Sequence, residues 1–400
     1  MSHEIIYQAP HESYLKLFAR FLKFGLLAWG GPVAQIAMIR AELVDDEKWI
    51  APERFNRVLA VYQALPGPEA HELCVYFGML ARGRLGALLA GLGFMLPGFT
   101  LMLALSWFYV TVGTTSPIFQ SIFLGMSPAV AALIVRAAHR IGGHALQRNT
   151  WLWAIAVSAA IAQLLEINFL AILFSAGFFY ALIKSGRKNL ALTIGLSALT
   201  AFAIYALRLD SAPLADSATL AAFSPSAPTT LALFLSGLRA GLLTFGGAYT
   251  AIPFLQHDAV QVGGWLTNAQ FLDGIALSGL LPAPLIIFST FVGYISGGLS
   301  GAIAMTVGIF APAFAFTMLG HDALEKLVEN QNAHAFLDGV TAAVVGLIAA
   351  TALGILRLTI VNTPAGIIFA LALFALFHFK SKWTVAAVVL GAGMLGALFL

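Results

Sequence analysis

The sequence predicts an all-α polytopic membrane protein built from two repeats of opposite orientation in the membrane. First, the 400 residues are 60% hydrophobic and only 10% charged, whereas soluble domains are about 25% charged. Second, the apolar stretches are long and lack the two-residue alternation of a β-barrel. Third, one spaced set of Gly, Pro and Trp residues occurs twice along the chain. The composition excludes a soluble enzyme, a disordered chain and a disulfide-rich scaffold.

The N-terminal segment is polar and lacks the pattern of a cleavable signal peptide, so we expect the mature helices to direct insertion. Spanning helices are expected where an apolar stretch approaches bilayer length, at 85–112, 118–138, 150–166, 169–183, 190–207, 299–319, 335–356, 363–379 and 383–400. The polar stretch 208–229 is rich in Pro, Ser and Ala. It predicts a linker between an N-terminal repeat, 14–207, and a C-terminal repeat, 230–400.

The internal repeat is visible as a constant offset. Adding 216 to residues 25–68 aligns them with the second half without a gap, placing Gly30 on Gly246, Gly31 on Gly247, Trp49 on Trp265, Pro66 on Pro282 and Pro68 on Pro284. A one-residue shift then continues the match, with Gly78 on Gly293 and Pro97 on Pro312. Shared apolar composition would not keep Trp, Gly-Gly and Pro-x-Pro in register, so the sequence indicates a duplication.

The segments 14–81 and 231–293 are apolar but repeatedly interrupted, and they allow two interpretations. Each could contain full spans, or re-entrant hairpins that turn at the Gly-Gly and Pro-x-Pro motifs. The charged stretch 40–57 cannot lie in hydrocarbon. Hairpins would keep it cytoplasmic, and full spans would make it periplasmic. Both interpretations cross the membrane an even number of times.

Positive charge predicts the orientation of the repeats. Arg82 and Arg84 follow the second interrupted segment, and further basic residues are expected in loops on the same, cytoplasmic side: Arg140, Arg148, Lys184, Arg187 and Lys188. The first half has one span more than the second. An odd number of crossings inverts the second half, with the N-terminus cytoplasmic and the C-terminus periplasmic, an architecture that many transporters share.

Four duplicated helix breaks are the candidate substrate site. Proline disfavours helix in the preceding residue, and a helix that restarts presents the positive end of its dipole to an anion. Inversion is expected to bring the breaks together near the membrane midplane. The residues are Gly30, Gly31, Pro32, Pro66, Gly67, Pro68, Gly246, Gly247, Pro282 and Pro284. The alternative is ordinary kinked helices that pack closely through glycine.

Polar residues near these breaks are further candidates. Lys23 and Arg239 occupy equivalent positions, so they could balance an anion's charge directly or by steering, or could snorkel to an interface. Gln35 could donate its amide to an oxyanion or could serve packing. Glu69 and Glu72 could complement a helix dipole, or, with His71, could carry protons in a coupled transporter.

The motifs around the first breaks carry a family resemblance. Phe24-Gly-Leu-Leu-Ala-Trp-Gly-Gly-Pro-Val-Ala-Gln-Ile-Ala-Met38 is followed by Trp49, Phe55, Gln63-Ala-Leu-Pro-Gly-Pro68 and Phe94-Met-Leu-Pro-Gly98. This ordered set resembles the long-chain, two-domain chromate ion transporter (CHR) family over nearly the whole chain. The resemblance implies export of chromate across the inner membrane by antiparallel halves, with sulfate as a tetrahedral analogue. Glu69-Ala-His-Glu72 and Pro282-Ala-Pro284 depart from the family pattern.

We therefore expect a transporter that exports chromate, or a related oxyanion, by alternating access. The sequence contains no nucleotide-binding loop, so the membrane potential or proton coupling would supply the energy. The alternatives are an anion channel and a membrane-embedded enzyme acting on a lipid. We expect no catalytic residue, cofactor, metal site or nucleic-acid partner. The bilayer is the expected environment, and a homodimer is compatible with this class.

Overall fold

The computed structural model describes residues 8–193, 195 and 227–400, and of residues 64 and 321–329 it describes the backbone alone. The described residues form helices and contain no strand, which confirms the predicted all-α class. Among them, four helical stretches are long and apolar enough to cross a membrane: Glu69–Gly113, Pro117–Ala145, Leu285–Gly320 and Gln331–Thr359.

The helices of the first half follow the predicted order. They are α1 (Tyr14–Leu26), α2 (Gly31–Arg40), α3 (Pro52–Ala64), α4 (Glu69–Phe108), α5 (Pro117–Ala145), α6 (Thr150–Leu164) and α7 (Phe169–Lys184). π-Helical turns at Ala41–Asp46 and Tyr109–Gly113 extend α2 and α4. Residues 188–193 are also helical.

The second half repeats this order. Its helices are α8 (Thr230–Leu242), α9 (Ala251–Gln256), α10 (Asn268–Gly279), α11 (Phe288–Glu329), α12 (Gln331–Thr359), α13 (Thr363–His378) and α14 (Thr384–Phe399). Short 3₁₀ turns at Ala248–Thr250 and Leu285–Ile287 precede α9 and α11, and a π turn at His257–Val262 follows α9. The predicted span 190–207 and the linker 208–229 lie mostly outside the described residues. Each other predicted span coincides with a helix.

Two long helices double back on themselves at equivalent positions. α4 leaves helical geometry at Arg82 and Gly83, and α11 does so at Gly297 and Gly298. Gly83 has φ 62° and Gly298 has φ 61°, a left-handed backbone that glycine adopts without strain. Each long helix is therefore a short arm, a sharp turn and a long arm that returns beside the short one.

The arms touch backbone to backbone. A Cβ added to Gly78 would overlap the carbonyl oxygen of Gly86, and one added to Gly293 would overlap that of Gly301. Glycine is required here because two helix backbones approach too closely for a side chain. This close approach explains why both pairs occur in the repeated motif.

The first interrupted segment folds back between α1 and α2. The Arg20 guanidinium on α1 donates hydrogen bonds to Glu42 at 3.2 Å and to Glu47 at 2.6 Å, beyond the end of α2. These contacts place the middle of α1 beside the end of the returning chain. Helix α1 also lies along α4, where Gly93 meets the backbone of Phe18, and the same contact recurs between Gly308 and Phe234.

The second interrupted segment folds back between α3 and the short arm of α4. Arg54 Nε donates a hydrogen bond to Tyr76 Oη at 3.1 Å, and the rings of Phe55 and Phe77 stack with centroids 6.4 Å apart. The start of α3 therefore lies beside the end of the short arm. Of the two interpretations of residues 14–81, this geometry agrees with paired hairpins.

Candidate functional site

All four predicted helix breaks are present. They separate α1 from α2, α3 from α4, α8 from the Ala248–Thr250 turn, and α10 from the Leu285–Ile287 turn. Gly30, Gly31, Gly67, Gly246 and Gly247 all have positive φ. The Gly-Gly and Pro-x-Pro motifs thus interrupt the helices where the sequence predicted.

The Pro66–Pro68 break contacts the second half directly. The backbone N–H of Gly67 donates a hydrogen bond to the carbonyl oxygen of Thr244 at 2.9 Å. Thr244 itself follows α8 at the third break. Two breaks, one from each half, are therefore joined through their backbones.

The fourth break completes a junction of three. The 3₁₀ turn Ala248–Thr250 packs against the 3₁₀ turn Leu285–Ile287. Ala283, between the prolines of the fourth break, lies against Gly98 on the long arm of α4. The breaks at 66–68, 244–248 and 282–284 therefore meet where the two halves face each other. We call this region the three-break junction.

The first break has different neighbours. Gly30 lies against Lys382, and the ring of Trp29 packs on that of Trp383 with centroids 4.5 Å apart. Gln35, which is buried, donates its side-chain amide to the carbonyl oxygen of Ala28 at 2.8 Å. This hydrogen bond satisfies a carbonyl released by the break. The structure thus brings together three of the four predicted breaks, and the contacts of the first are with the loop before α14.

Lys23 and Arg239 both lie in ion pairs. Lys23 Nζ is 3.1 Å from Glu42 Oε2, and Arg239 pairs with Asp258. In each half the acid follows the base by 19 residues, so the pair is part of the duplicated design. Each pair joins the first helix of its half to the returning chain, which gives both cations a partner within the protein.

Two arginines that were not among the candidate residues lie beside the junction. Arg136 and Arg140 are four residues apart on α5 and both are half-buried. The Arg140 guanidinium lies 5.9 Å from the ring centroid of Tyr249, next to the Gly246-Gly247 break, and both arginines interact electrostatically with Tyr249. Arg140 also interacts electrostatically with Glu69. The prediction that Arg140 lies in a loop was wrong, because α5 continues to Ala145.

The signal for this pair was present in the sequence. An i, i+4 spacing places two residues on one face of a helix, and ionisable residues within a spanning helix are seldom there without a function. The apolar stretch 118–138 ends before Arg140, and a loop is therefore predicted there, whereas α5 continues to Ala145. The error was in the length predicted for α5, which extends beyond the apolar stretch.

Glu69, His71 and Glu72 form the first turn of α4 and are all buried. The His71 ring lies 4.9 Å and 4.8 Å from those of Phe310 and Phe314. Neither carboxylate oxygen of Glu72 has a hydrogen-bond partner among the described residues. Burying an unpaired carboxylate is costly, so Glu72 is suited to hold a proton.

A comparison with protein-family models matches this chain twice to one model, described as "Chromate transporter", over residues 15–182 and 231–397. The chain belongs to the chromate transporter family. The two matched ranges agree with the duplication seen in the helix breaks and in the Gly-Gly contacts. Members of this family are transporters, so this chain is a multi-pass membrane transporter and not an enzyme.

Similar proteins extend the family relationship over the whole chain. It is 55% identical over 393 residues to a "Chromate transport protein" of Pseudomonas aeruginosa, covering 97% of this chain and 93% of the relative. It is 30% identical to a "Chromate transport protein" of Cupriavidus metallidurans, covering 98% and 94%. An "Uncharacterized transporter" of Bacillus subtilis, YwrB, is 34% identical over 39% of this chain and 80% of its own length. No solved structure matches the chain.

Proposed function

We propose that this protein exports chromate across the bacterial inner membrane by alternating access, with the anion bound at the three-break junction. One observation carries the proposal: Arg136 and Arg140 on α5 both interact electrostatically with Tyr249 at the junction, and Arg140 also interacts with Glu69 at the start of α4. A divalent oxyanion in a membrane needs compensating positive charge. Two guanidinium groups supply it, and the helix starts at the breaks add partial positive charge and N–H donors.

Glu69 has a place in this scheme as the resting partner of Arg140. The carboxylate and the guanidinium interact across the junction. An arriving dianion would compete with the Glu69 carboxylate for Arg140. Protonation of Glu69 would then free the guanidinium for the substrate. Glu72 and His71, in the same first turn of α4, are the alternative proton carriers at the junction.

Lys23 and Arg239 contribute in our proposal by steering. Both are at least partly exposed, with 59% and 41% of their side-chain surfaces accessible. Exposed charges act on an approaching anion over about 8–10 Å at physiological salt. Glu42 and Asp258, which pair with these two cations, weaken their electric field. In our proposal Arg136 and Arg140, rather than Lys23 and Arg239, therefore neutralise the charge of the bound anion.

We further propose that the repeats, 14–207 and 230–400, are inverted relative to each other. Arg82 at the turn of α4 and Lys184 at the end of α7 mark the cytoplasmic face by their charge. Four helical segments separate them: the long arm of α4, α5, α6 and α7. An even number of crossings is consistent with both lying on one face.

The start of α12 supports the inversion. Gly339, in the first third of α12, lies against the backbone of Ala176 and against Tyr180, in the middle and second half of α7. In our proposal the start of α12 is therefore at the same face as Arg82. Its counterpart in the first half is the start of α5, which is one crossing away from Arg82. Parallel repeats would place the two starts on the same face, whereas inverted repeats place them on opposite faces.

Cysteine labelling tests the topology. The chain contains one cysteine, so Cys74→Ala gives a background for single cysteines at exposed turn positions. Arg84→Cys and Ser300→Cys mark the turns of α4 and α11, which are both exposed. A membrane-impermeant maleimide added to intact spheroplasts should label only Ser300→Cys. Labelling of both positions from one side would contradict inversion.

Flux in proteoliposomes tests the function. Purified protein should give saturable chromate flux that sulfate competes for, under a membrane potential or a pH gradient imposed separately. A membrane potential that is negative inside favours export of a dianion, by about 2.3 kcal/mol per charge per 100 mV. Non-saturating ohmic current would indicate a channel. Absence of chromate and sulfate flux from folded protein would contradict the proposal.

A further inference from the structure

A buried acid on α10, outside the three-break junction, joins the two halves. The hydroxyl of Tyr109 donates a hydrogen bond to Asp273 Oδ2 at 2.7 Å. Tyr109 lies in the π turn that ends α4, and Asp273 lies in the middle of α10. Both residues are buried, at 3% and 7% exposure. This hydrogen bond links elements of the first and second repeats.

The surroundings of the pair are apolar. The ring of Tyr109 packs on those of Phe123 and Phe291 with centroids 5.1 Å and 5.0 Å apart. The elements packed against α10 are α4, α5, α11, α14 and the turn before α11. The long arm of α4 (85–108) and the stretches 117–135, 285–320 and 384–399 of the other elements contain no Asp, Glu, Lys, Arg or His, and Tyr294 is the one other titratable group in them. The charged and titratable groups of α4 lie on its short arm and turn, which carry Glu69, His71, Glu72, Arg82 and Arg84. The first charged residue further along α5 is Arg136, which faces Tyr249.

Among the described residues, Asp273 therefore has a phenol as its hydrogen-bond donor and no cation paired with it to balance a negative charge. A carboxylate is costly to bury under these conditions, whereas a carboxylic acid is not. The group is suited to alternate between the two forms as its access to water changes. Ionisable residues in such positions of transporters commonly act in proton transfer.

The repeat shows that the fold itself does not need this acid. The 216-residue offset places Asp273 on Arg57, which is exposed and of opposite charge. The same helix position thus folds with a very different residue. The path from the surface to the pair is also short, since Thr114 and Thr115 directly follow the π turn that contains Tyr109 and are exposed. A proton would need to travel one to two helical turns from the surface.

We propose that Asp273 takes up and releases the proton that couples the pH gradient to export, with Tyr109 as its partner across the two halves. This inference rests on the proposed function. In the step, a proton from water adds to the free carboxylate oxygen, Oδ1, and later returns to water on the other side. Uptake breaks an O–H bond of hydronium and forms the carboxyl O–H bond, and release reverses both changes. No electron is transferred.

The hydrogen bond gives a way for the proton to change the structure. A phenol donates more strongly to a carboxylate than to a neutral acid, because charge-assisted hydrogen bonds are about twice as strong. Deprotonated Asp273 therefore holds the end of α4 against α10. Protonation weakens this link between the halves, which favours their rearrangement.

The test is the chromate concentration ratio that proteoliposomes reach at steady state, measured at zero membrane potential with and without a pH gradient. For one coupled proton, one pH unit shifts this ratio about tenfold, equivalent to about 1.4 kcal/mol. We expect this shift in the wild type and in the exposed-acid control Asp45→Asn. In Asp273→Asn, which keeps an oxygen to accept from Tyr109, the ratio should not respond to the gradient.

Other variants separate the outcomes. Tyr109→Phe should retain coupling but change the pH at which flux is half-maximal, which a packing role alone would not do. A tenfold shift that persists in Asp273→Asn would overturn the inference while leaving chromate transport intact. Loss of the shift in Glu72→Gln but not in Asp273→Asn would likewise overturn it and assign coupling to the junction. Absence of chromate flux in the wild type would instead refute the proposed function.

Infrared spectroscopy gives a measurement that does not depend on the folding of a transport-defective variant. The wild-type protein titrated from acid to alkaline pH should lose the C=O band of a protonated carboxylic acid. Tyr109→Phe, which removes the hydrogen bond to that group, should shift the frequency of the band. A carboxyl difference band that is insensitive to Tyr109→Phe would contradict the assignment to Asp273.

Discussion

Replacing Arg140 by alanine should weaken chromate transport through KM. Arg140 lies beside Tyr249 and interacts electrostatically with Glu69, so we expect an anion at the junction to contact its guanidinium. Two unit charges about 4 Å apart interact by about 4 kcal/mol at an effective dielectric constant of 20. Desolvation of both groups reduces the net contribution of such a hydrogen bond to about 1.5–3 kcal/mol. We therefore expect KM to rise about 10- to 100-fold.

The assay is the initial rate of chromate uptake into proteoliposomes at a fixed potential, over a range of chromate concentrations. Arg148→Ala is the matched control, because Arg148 follows α5 and is exposed. Arg140→Lys should lie between wild type and alanine, since it keeps the charge but loses the fork of donors. Equal KM values for Arg140→Ala and Arg148→Ala would refute the placement of the substrate.

Three further predictions concern the scaffold. Gly67→Ala should abolish saturable flux, because Gly67 has φ 154° and a Cβ there would lie 2.7 Å from Glu72 Oε1. The control Gly354→Ala, with open space around it, should transport normally. Normal flux in Gly67→Ala would contradict the role of the break. Gly78→Val should lower the thermal midpoint of the purified protein by several degrees through overpacking against the returning arm of α4; an unchanged midpoint would show that the arms separate easily. Burial opposes ionisation of Glu12, but hydrogen bonds from Arg20 and Lys16 outweigh it and keep the pKa of Glu12 below its ordinary value of 4.5. Its stabilising effect is thus present above pH 4.5 and is lost as the pH falls through the lowered pKa, so the thermal midpoints of wild type and Glu12→Gln should differ at neutral pH and converge in acid; a constant difference would contradict this.

The helix breaks could be predicted from the sequence because the same motifs occur at equivalent positions in both halves. Gly-Gly and Pro-x-Pro motifs interrupt helices for local backbone reasons, and they did so in both halves. The contact between Gly78 and Gly86 shows why these residues stay in register, since only glycine permits two helices to approach so closely. The effect of Gly-Gly and Pro-x-Pro on the backbone can be predicted without knowing which elements pack against them.

The site was predicted less completely because its members come from distant parts of the chain. Arg140 approaches Tyr249 only after the two halves pack together. The Lys23–Glu42 ion pair likewise depends on α2 folding back along α1. Sequence spacing shows which charges are equivalent in the two halves, but it does not show which of them have already found partners within the protein.

The most direct test of the account is equilibrium binding of chromate to the purified protein, measured by isothermal titration at low ionic strength. We predict one saturable site per chain in the wild type and in Arg148→Ala. The double variant Arg136→Ala/Arg140→Ala should bind chromate at least about 100-fold more weakly, since it loses both compensating charges. Wild-type affinity in that folded double variant would contradict the claim that the anion binds at the three-break junction.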